Sequence, residues 1–534
     1  MSCRVPGCLL FTALLLGFCV TGCSTSSNLP TGTVPADIKA IFDKPSYSNA
    51  TWGMRVIDLD TRQTLIDFNP GQQFLIGSVR KLFSVGELLN QIGPDYTFDT
   101  PVYSQGTVSN TGVLQGNLVL VASGDLTMGG RTNPDGTIAV SNFDHNEANS
   151  LGNAQLTSPD PLAGYAYLAN QIAASGIKEI AGDVVIDDRL FKPFNFREEF
   201  DVKPIFVNDD VVDVVLNPTA VGQLASFSYR PQSSALTVES TVVMSPAGTD
   251  ENIEPEIPTC IGQPGCTVTL AGDLPVGFTP PITGSYPLIR AFRIADPSSY
   301  ARTVLIEELW ADGVKVDAPT AEPNPSQLLP AQGSYDPATR VARLRGQPYA
   351  EDAKFINKVS YNIGADTSLV LYGLTQGVDD MPSALTVEKA NLQNHYGINP
   401  AEYSFIDGSG GGETTAICSA VTQLLLDMYQ SPTFPQYFDS LPILGVDGSL
   451  ATTTDYESDP TLVGAKGQVH AKPGTYVAGP VIKGDALAGY IKTKSGRRLA
   501  YQVVVNNVPF KSVSDVIQVF QDEGTISAIL WRDN

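Results

Sequence analysis

Apolar residues recur along this chain with two periods, and the change from one to the other separates strands from helices. Met54-Arg55-Val56-Ile57-Asp58-Leu59 alternates as a half-buried strand does, and Asp60-Thr61-Arg62 turns the chain into Thr64-Leu65-Ile66-Asp67. That pattern predicts a hairpin. From Ser78 to Ile92 the period lengthens: Leu82, Val85, Leu89 and Ile92 fall on one face of a helix. Residues 98–345 read differently, as short alternating segments such as Asn117 to Val121 and Asp183 to Ile186, broken by Gly, Pro and Asp. We read them as one or two β-rich insertions with one helical passage near 162–175, and proline-rich loops over 246–286 and 318–337. Beyond about 350 the helix–strand mixture returns. Ala486 to Ile491 and Leu499 to Val505 flank the turn Lys494-Ser495-Gly496-Arg497, a second hairpin, and a last helix is expected from Ser514 towards Trp531.

Composition agrees with this alternation. The chain has 534 residues, too many for one compact core, so two or three domains are expected. It is 42% hydrophobic, with 48 glycines and 38 prolines, which favours strands and turns over helical bundles. A net charge of −23 argues against nucleic acid, which requires a basic face to neutralise phosphates.

The N-terminus reads as an address. Val5 to Val20 is an apolar run, shorter than the roughly 20 residues that span a bilayer. Val20-Thr21-Gly22-Cys23 follows and resembles a bacterial lipobox, which implies a signal peptide over 1–22 and lipidation of Cys23. Residues 23–35 would tether the lipid to the body. Cys260 and Cys266 bracket Ile-Gly-Gln-Pro-Gly, a turn that brings them within disulfide reach in an oxidising compartment. Cys418 lies in an apolar stretch and is expected to be a buried, inert thiol. No spacing resembles a zinc site, so no metal is expected.

The chain's histidines, His145, His395 and His470, lie near no G-x-S-x-G elbow and form no H-E-x-x-H. Each reads as a surface or packing residue. Ser78-Val79-Arg80-Lys81 is more informative, because Ser78 and Lys81 share a face at a helix start. A serine hydroxyl needs a neighbour to take its proton. A lysine can do so once burial or a nearby cation has made its amine neutral. Two further segments follow in order: Ser360-Tyr361-Asn362 and Lys472-Pro473-Gly474-Thr475.

S-x-x-K, S-x-N and K-x-G-T in that order resemble the three-part signature of penicillin-binding proteins and serine β-lactamases. The interval of roughly 280 residues between the first two resembles the class C low-molecular-mass penicillin-binding proteins, the D-alanyl-D-alanine carboxypeptidase/endopeptidase group. Gly116 to Asp125, Gly182 to Asp188, Asp407-Gly408-Ser409-Gly410 and Leu441 to Leu450 look like the same group. This resemblance implies an α/β (α+β) fold: a transpeptidase core, an antiparallel sheet flanked by helices, built from 36–97 and 346–534, with β-rich insertions over 98–345. Ser78 would be the acylated nucleophile, Lys81 its base, and Ser360 the proton relay. Asn362, Lys472, Gly474 and Thr475 would bind substrate, the Thr475 amide completing an oxyanion site. Asp407, Gly408 and Ser409 would serve structure first.

The resemblance further implies peptidoglycan peptides as substrate, β-lactams as acylating inhibitors, no cofactor, and a lipid-anchored place in the bacterial envelope, with Ser24 favouring the outer membrane. Pro473 departs from the usual Thr or Ser. A proline belongs on a sheet edge, and residues 473 and 475 direct their backbone groups to the same side. The stretch Gly411-Gly412-Glu413 after Asp407 to Gly410 is also atypical. Both departures leave room for altered specificity or lowered activity; Pro473 supports a catalytically impaired scaffold that binds cell-wall peptides as one alternative, and a β-lactamase or esterase is another. Carboxypeptidase and endopeptidase action share one chemistry, cleavage after a D-residue in the same cleft.

Overall fold

The computed structural model describes residues 33–534. The apolar leader, Cys23 and most of the expected tether lie outside the described residues. Among the described residues no helix is long and apolar enough to cross a membrane.

The first and last parts of the chain build one five-stranded antiparallel sheet. Its order is Thr64–Phe68, Thr51–Asp58, Arg498–Pro509, Val481–Lys492, Val469–Ala478. Both expected hairpins are therefore present, joined through Thr51–Asp58 and Arg498–Pro509. Because side chains alternate across a strand, each face has its own core. Trp52, Met54 and Val56 pack with Tyr501, Val503 and Val505 beneath the helices Ala36–Phe42 and Val513–Asp533. On the opposite face Ala486, Ala488, Tyr490 and Val504 pack against Leu82, Val85, Val421 and Leu424, which lie on the helices Lys81–Ile92 and Cys418–Gln430. Small alanines on this face let the helices approach closely. Val469–Ala478 is a sheet edge, paired on one side with Val481–Lys492.

The intervening chain has a second core and its own mixed sheet, and it also packs Leu126, Phe191, Phe196 and Phe206 into the core around the helix Lys81–Ile92. That sheet opens with Thr97–Val108 and closes with Arg340–Pro348, Thr97 standing opposite Pro348. Helix Ala163–Ala174 lies where the helical passage was expected. The β-rich reading needs one correction: Pro297–Ala311 is a further helix, of 15 residues. Its burial from Pro297 to Ile306 is continuous and takes in Ser298, Ser299, Arg302 and Thr303, so polar and apolar residues do not sort onto two faces as a helical period requires. The local signals were Asp296, whose side chain caps the helix by accepting from the Ser299 amide, and Pro297 in the first turn. Cys260 and Cys266 are disulfide-bonded, with Cα atoms 5.4 Å apart.

Candidate active site

Ser78 lies in a tight turn, Gly77–Arg80, that runs directly into the helix Lys81–Ile92. The regular helix thus starts three residues later than its apolar period suggests. Gly77 has φ +48°, and a Cβ there would sit 2.6 Å from the Thr475 amide nitrogen. A Cβ on Gly474 would lie 2.2 Å from the Ile76 carbonyl and 2.7 Å from the Ser78 nitrogen. These two glycines let the nucleophile turn and the sheet edge touch backbone to backbone. The contact brings the Ser78 and Thr475 amides to the same place.

Lys81 is fully buried, and its Nζ lies 2.7 Å from Ser78 Oγ, 2.6 Å from Asn362 Oδ1 and 2.9 Å from the Ser409 carbonyl. Asn362 opens the helix Asn362–Thr375, two residues after Ser360, which takes a left-handed conformation at φ +65°. That kink turns the Ser360 hydroxyl to accept from Lys472 Nζ at 2.9 Å. Lys472 is also fully buried and donates to the Pro473 carbonyl. Pro473 stands opposite Leu487 on the edge strand. Its missing N–H falls on the same open side as the Thr475 amide, so no sheet bond is lost. The Thr475 hydroxyl turns the other way and donates to Asp485 on the neighbouring strand at 2.9 Å.

A loop of turns closes the site from below. The Asp407 carboxylate accepts from the amides of Ser409, Gly410 and Gly411, and Asp366 accepts from the Gly408 amide. Arg80 Nε donates to the Asp407 carbonyl, and Ser84 Oγ to that of Gly408. Asp407, Gly408 and Ser409 thereby present the Ser409 carbonyl to Lys81.

Burial dominates the electrostatics. It pushes the Lys81 amine down to about 7, assisted by Arg197 and opposed by Asp366, Asp407 and Glu147. Burial also holds Lys472 well below the ordinary lysine range, and Lys81 adds to the effect. Asp366 is raised to about 8 by burial and by Asp407, against the pull of Lys81. The arrangement can remove a proton from Ser78, hold a developing oxyanion between two amides, and relay a proton through Ser360.

Four neighbours escaped the sequence reading. Glu147 and Arg197 come from the inserted region, far away in sequence with no motif to announce them. Asp366, four residues after Asn362, was available from helical spacing, and Asp485 from its place opposite Thr475. His145 also needs correction. It is neither a surface nor a packing residue but a buried member of a charged network with Asp144, Asp209, Asp213 and Arg131. His470 packs by stacking on Phe438 at 3.9 Å, and His395 lies exposed at the surface, edge-on to Tyr396. Cys418 is buried, and its thiol is pushed up to about 12 by burial.

Comparison with known proteins agrees with this geometry. The D-Ala-D-Ala carboxypeptidase 3 (S13) family matches residues 34–522. The D-alanyl-D-alanine carboxypeptidase of Actinomadura sp. (strain R39) is 24% identical over 502 residues, covering 88% of this chain and 80% of that protein. Penicillin binding protein 4 (dacB) from Haemophilus influenzae superposes with a TM-score of 0.69 at 18% identity, over 93% of this chain and all (100%) of that one. The same protein complexed with a novel beta-lactam gives 0.65 at 18% identity, over 93% and 99%. At these identities the two structures establish the shared fold.

Proposed function

The chain belongs to the D-Ala-D-Ala carboxypeptidase 3 (S13) family, and from that premise we propose how its residues divide the work. It is a low-molecular-mass class C penicillin-binding protein, a serine-type D-Ala-D-Ala carboxypeptidase acting on peptidoglycan peptides. One observation carries the assignment of roles: a fully buried amine, Lys81, within hydrogen-bond distance of the Ser78 hydroxyl.

In this reading neutral Lys81 takes the Ser78 proton as Oγ attacks the carbonyl carbon before the terminal D-alanine. The oxyanion that forms is held by the Ser78 and Thr475 amides. The C–N bond then breaks, and the leaving amine receives a proton through Ser360, which sits on Lys472 Nζ. Asn362 and Lys472 position the substrate, with Gly474 allowing the edge strand to lie against the nucleophile turn. An acyl-serine remains, and water releases it by the reverse proton transfers. Penicillins enter the same first step and stop at the adduct. Intact-mass spectrometry after incubation with penicillin tests this: one adduct on the wild-type chain and none on Ser78→Ala is expected. A folded wild-type sample without adduct would overturn the assignment.

The exported, lipid-anchored state belongs to the same proposal. The apolar run Val5 to Val20 ahead of Gly22-Cys23 supports a signal peptide and an acylated Cys23, and Ser24 favours the outer membrane of the envelope. Metabolic labelling with palmitate and membrane fractionation test it, because Cys23→Ser should lose both label and membrane association.

A further inference from the structure

The inserted region reaches the catalytic centre through Glu147, with Arg197 beside it at 3.7 Å. Glu147 Oε1 accepts a hydrogen bond of 2.6 Å from Asn362 Nδ2, while Asn362 Oδ1 faces Lys81 Nζ at 2.6 Å. An asparagine amide has a donor end and an acceptor end that exchange when it rotates. An ionised carboxylate can only accept, so Glu147 selects the donor end and leaves the oxygen for Lys81.

That choice decides where the lysine lone pair points. A neutral amine has two N–H bonds and one lone pair. Around Lys81 Nζ lie two oxygens that can only accept, Asn362 Oδ1 and the Ser409 carbonyl, and one hydroxyl, Ser78 Oγ. With both N–H bonds given to the first two, the lone pair faces the Ser78 hydroxyl proton. A rotated Asn362 would present its N–H to Lys81 and compete for that lone pair.

Glu147 is itself held firmly. It ends the turn His145–Glu147, and Asp144 caps that turn by accepting from the Asn146 amide. His145 Nδ1 donates to Asp213 Oδ1 at 2.7 Å and Nε2 to Asp209 Oδ2 at 2.8 Å. Arg131 grips Asp144 through both terminal nitrogens and Asp209 through Nε, with Nη2 also 2.8 Å from His145 Nε2. Arg230 pairs with Asp213, so three cations balance three carboxylates. Asp144, His145 and Asp209 have the spacing of a metal site, yet the carboxylates already hold Arg131. Beyond the turn, Asn149 bonds both backbone groups of Ala291. The same network backs the second motif: the Arg131 guanidinium lies 4.0 Å over Phe355, which stacks on Tyr361 at 4.7 Å.

We propose that Glu147 is a positioning residue for acylation: locked by the His145 network, it fixes the Asn362 amide so that the Lys81 lone pair is aimed at Ser78. The inserted region is then a working part of the active site. The inference rests on the assignment of Ser78 as nucleophile and Lys81 as base.

The test is the second-order rate of acylation by a fluorescent penicillin, measured on the full chain. Glu147→Ala should slow it by about tenfold or more, since the amide loses its carboxylate partner and rotates freely. Glu147→Gln, whose carbonyl can still accept from Asn362, should stay within about threefold of wild type. In an Asn362→Ala background, compared at a pH above the acid limb, Glu147→Ala should cause no further loss, because its positioning effect passes through that amide.

A pH profile adds a readout that mere destabilisation would not move. Lys81 is faced by Asp366, Asp407 and Glu147, and on the cationic side by Arg197 and Lys472. Removing the Glu147 charge should shift the acid limb of the rate to lower pH, and Glu147→Gln reports this even if the alanine variant does not fold. Wild-type rates in Glu147→Ala, multiplicative losses in the double variant, or an unmoved acid limb in Glu147→Gln would each overturn the proposal. Acylation of Ser78→Ala would instead overturn the underlying assignment, so the two failures are distinguishable.

Discussion

Lys81 Nζ lies 2.7 Å from Ser78 Oγ with the lysine fully buried, three residues along from the hydroxyl it faces. Proximity alone would leave an ammonium beside a hydroxyl, with no base. Burial supplies the difference, because a charged amine loses its hydration there and its proton becomes easier to remove.

Replacing that amine tests the point directly. Lys81→Met should slow penicillin acylation by about 10²–10⁴-fold, the usual worth of a general base. It should not lower the thermal unfolding midpoint, since an apolar chain of similar length replaces a group that burial penalises. Stopped-flow acylation beside a thermal melt reads both.

The pH dependence has a definite sign. Lys81 is pushed down to about 7, and only its neutral form can accept the Ser78 proton. The acylation rate should therefore climb as pH rises, tenfold per unit on the acid side, and level off above about 7. A rate that falls across that range would rule out the amine as base.

Gly474→Ala should injure the site through sterics. The new Cβ would meet three backbone atoms, the Ile76 carbonyl at 2.2 Å, the Val79 nitrogen at 2.6 Å and the Ser78 nitrogen at 2.7 Å. None can move without displacing the nucleophile turn. We expect a stability loss of about 1–3 kcal/mol in urea unfolding, as for overpacked cores. Acylation should fall by more than about tenfold as the two oxyanion amides separate.

His145 links stability to pH. Burial alone would lower it, but Asp213 and Asp144 outweigh burial and raise it to about 9, above the unfolded value of 6.5. A raised histidine contributes stability that is fully present below about 6.5 and lost as pH rises through about 9. The gap in unfolding free energy between wild type and His145→Gln should therefore be widest in mild acid and narrow above about 9. Denaturant titrations at several pH values would show it, and a gap independent of pH would sink the idea.

Much of this was legible in the chain itself. The hairpins 51–68 and 481–509 and the helix after Ser78 follow from local period, because a strand or helix must hide one face. The three motif segments were likewise readable from residue types and order. Pro297–Ala311 was not, because it buries Ser298, Ser299, Arg302 and Thr303 along with its apolar residues and so shows no clear polar stripe.

The sequence by itself thus determined which groups could react: a hydroxyl with a lysine one turn away, a second serine with its asparagine, and a lysine on a proline-bearing edge strand. Only the tertiary structure decided what those groups are. It buried Lys81 and made its amine a base, and it set Gly77 against Gly474 so that two distant amides share one oxyanion site. It also delivered Glu147 from the inserted region to Asn362, 215 residues away along the chain. The reason is physical: reactivity here depends on desolvation, charge and orientation at distances near 3 Å, which separations along a polypeptide do not encode.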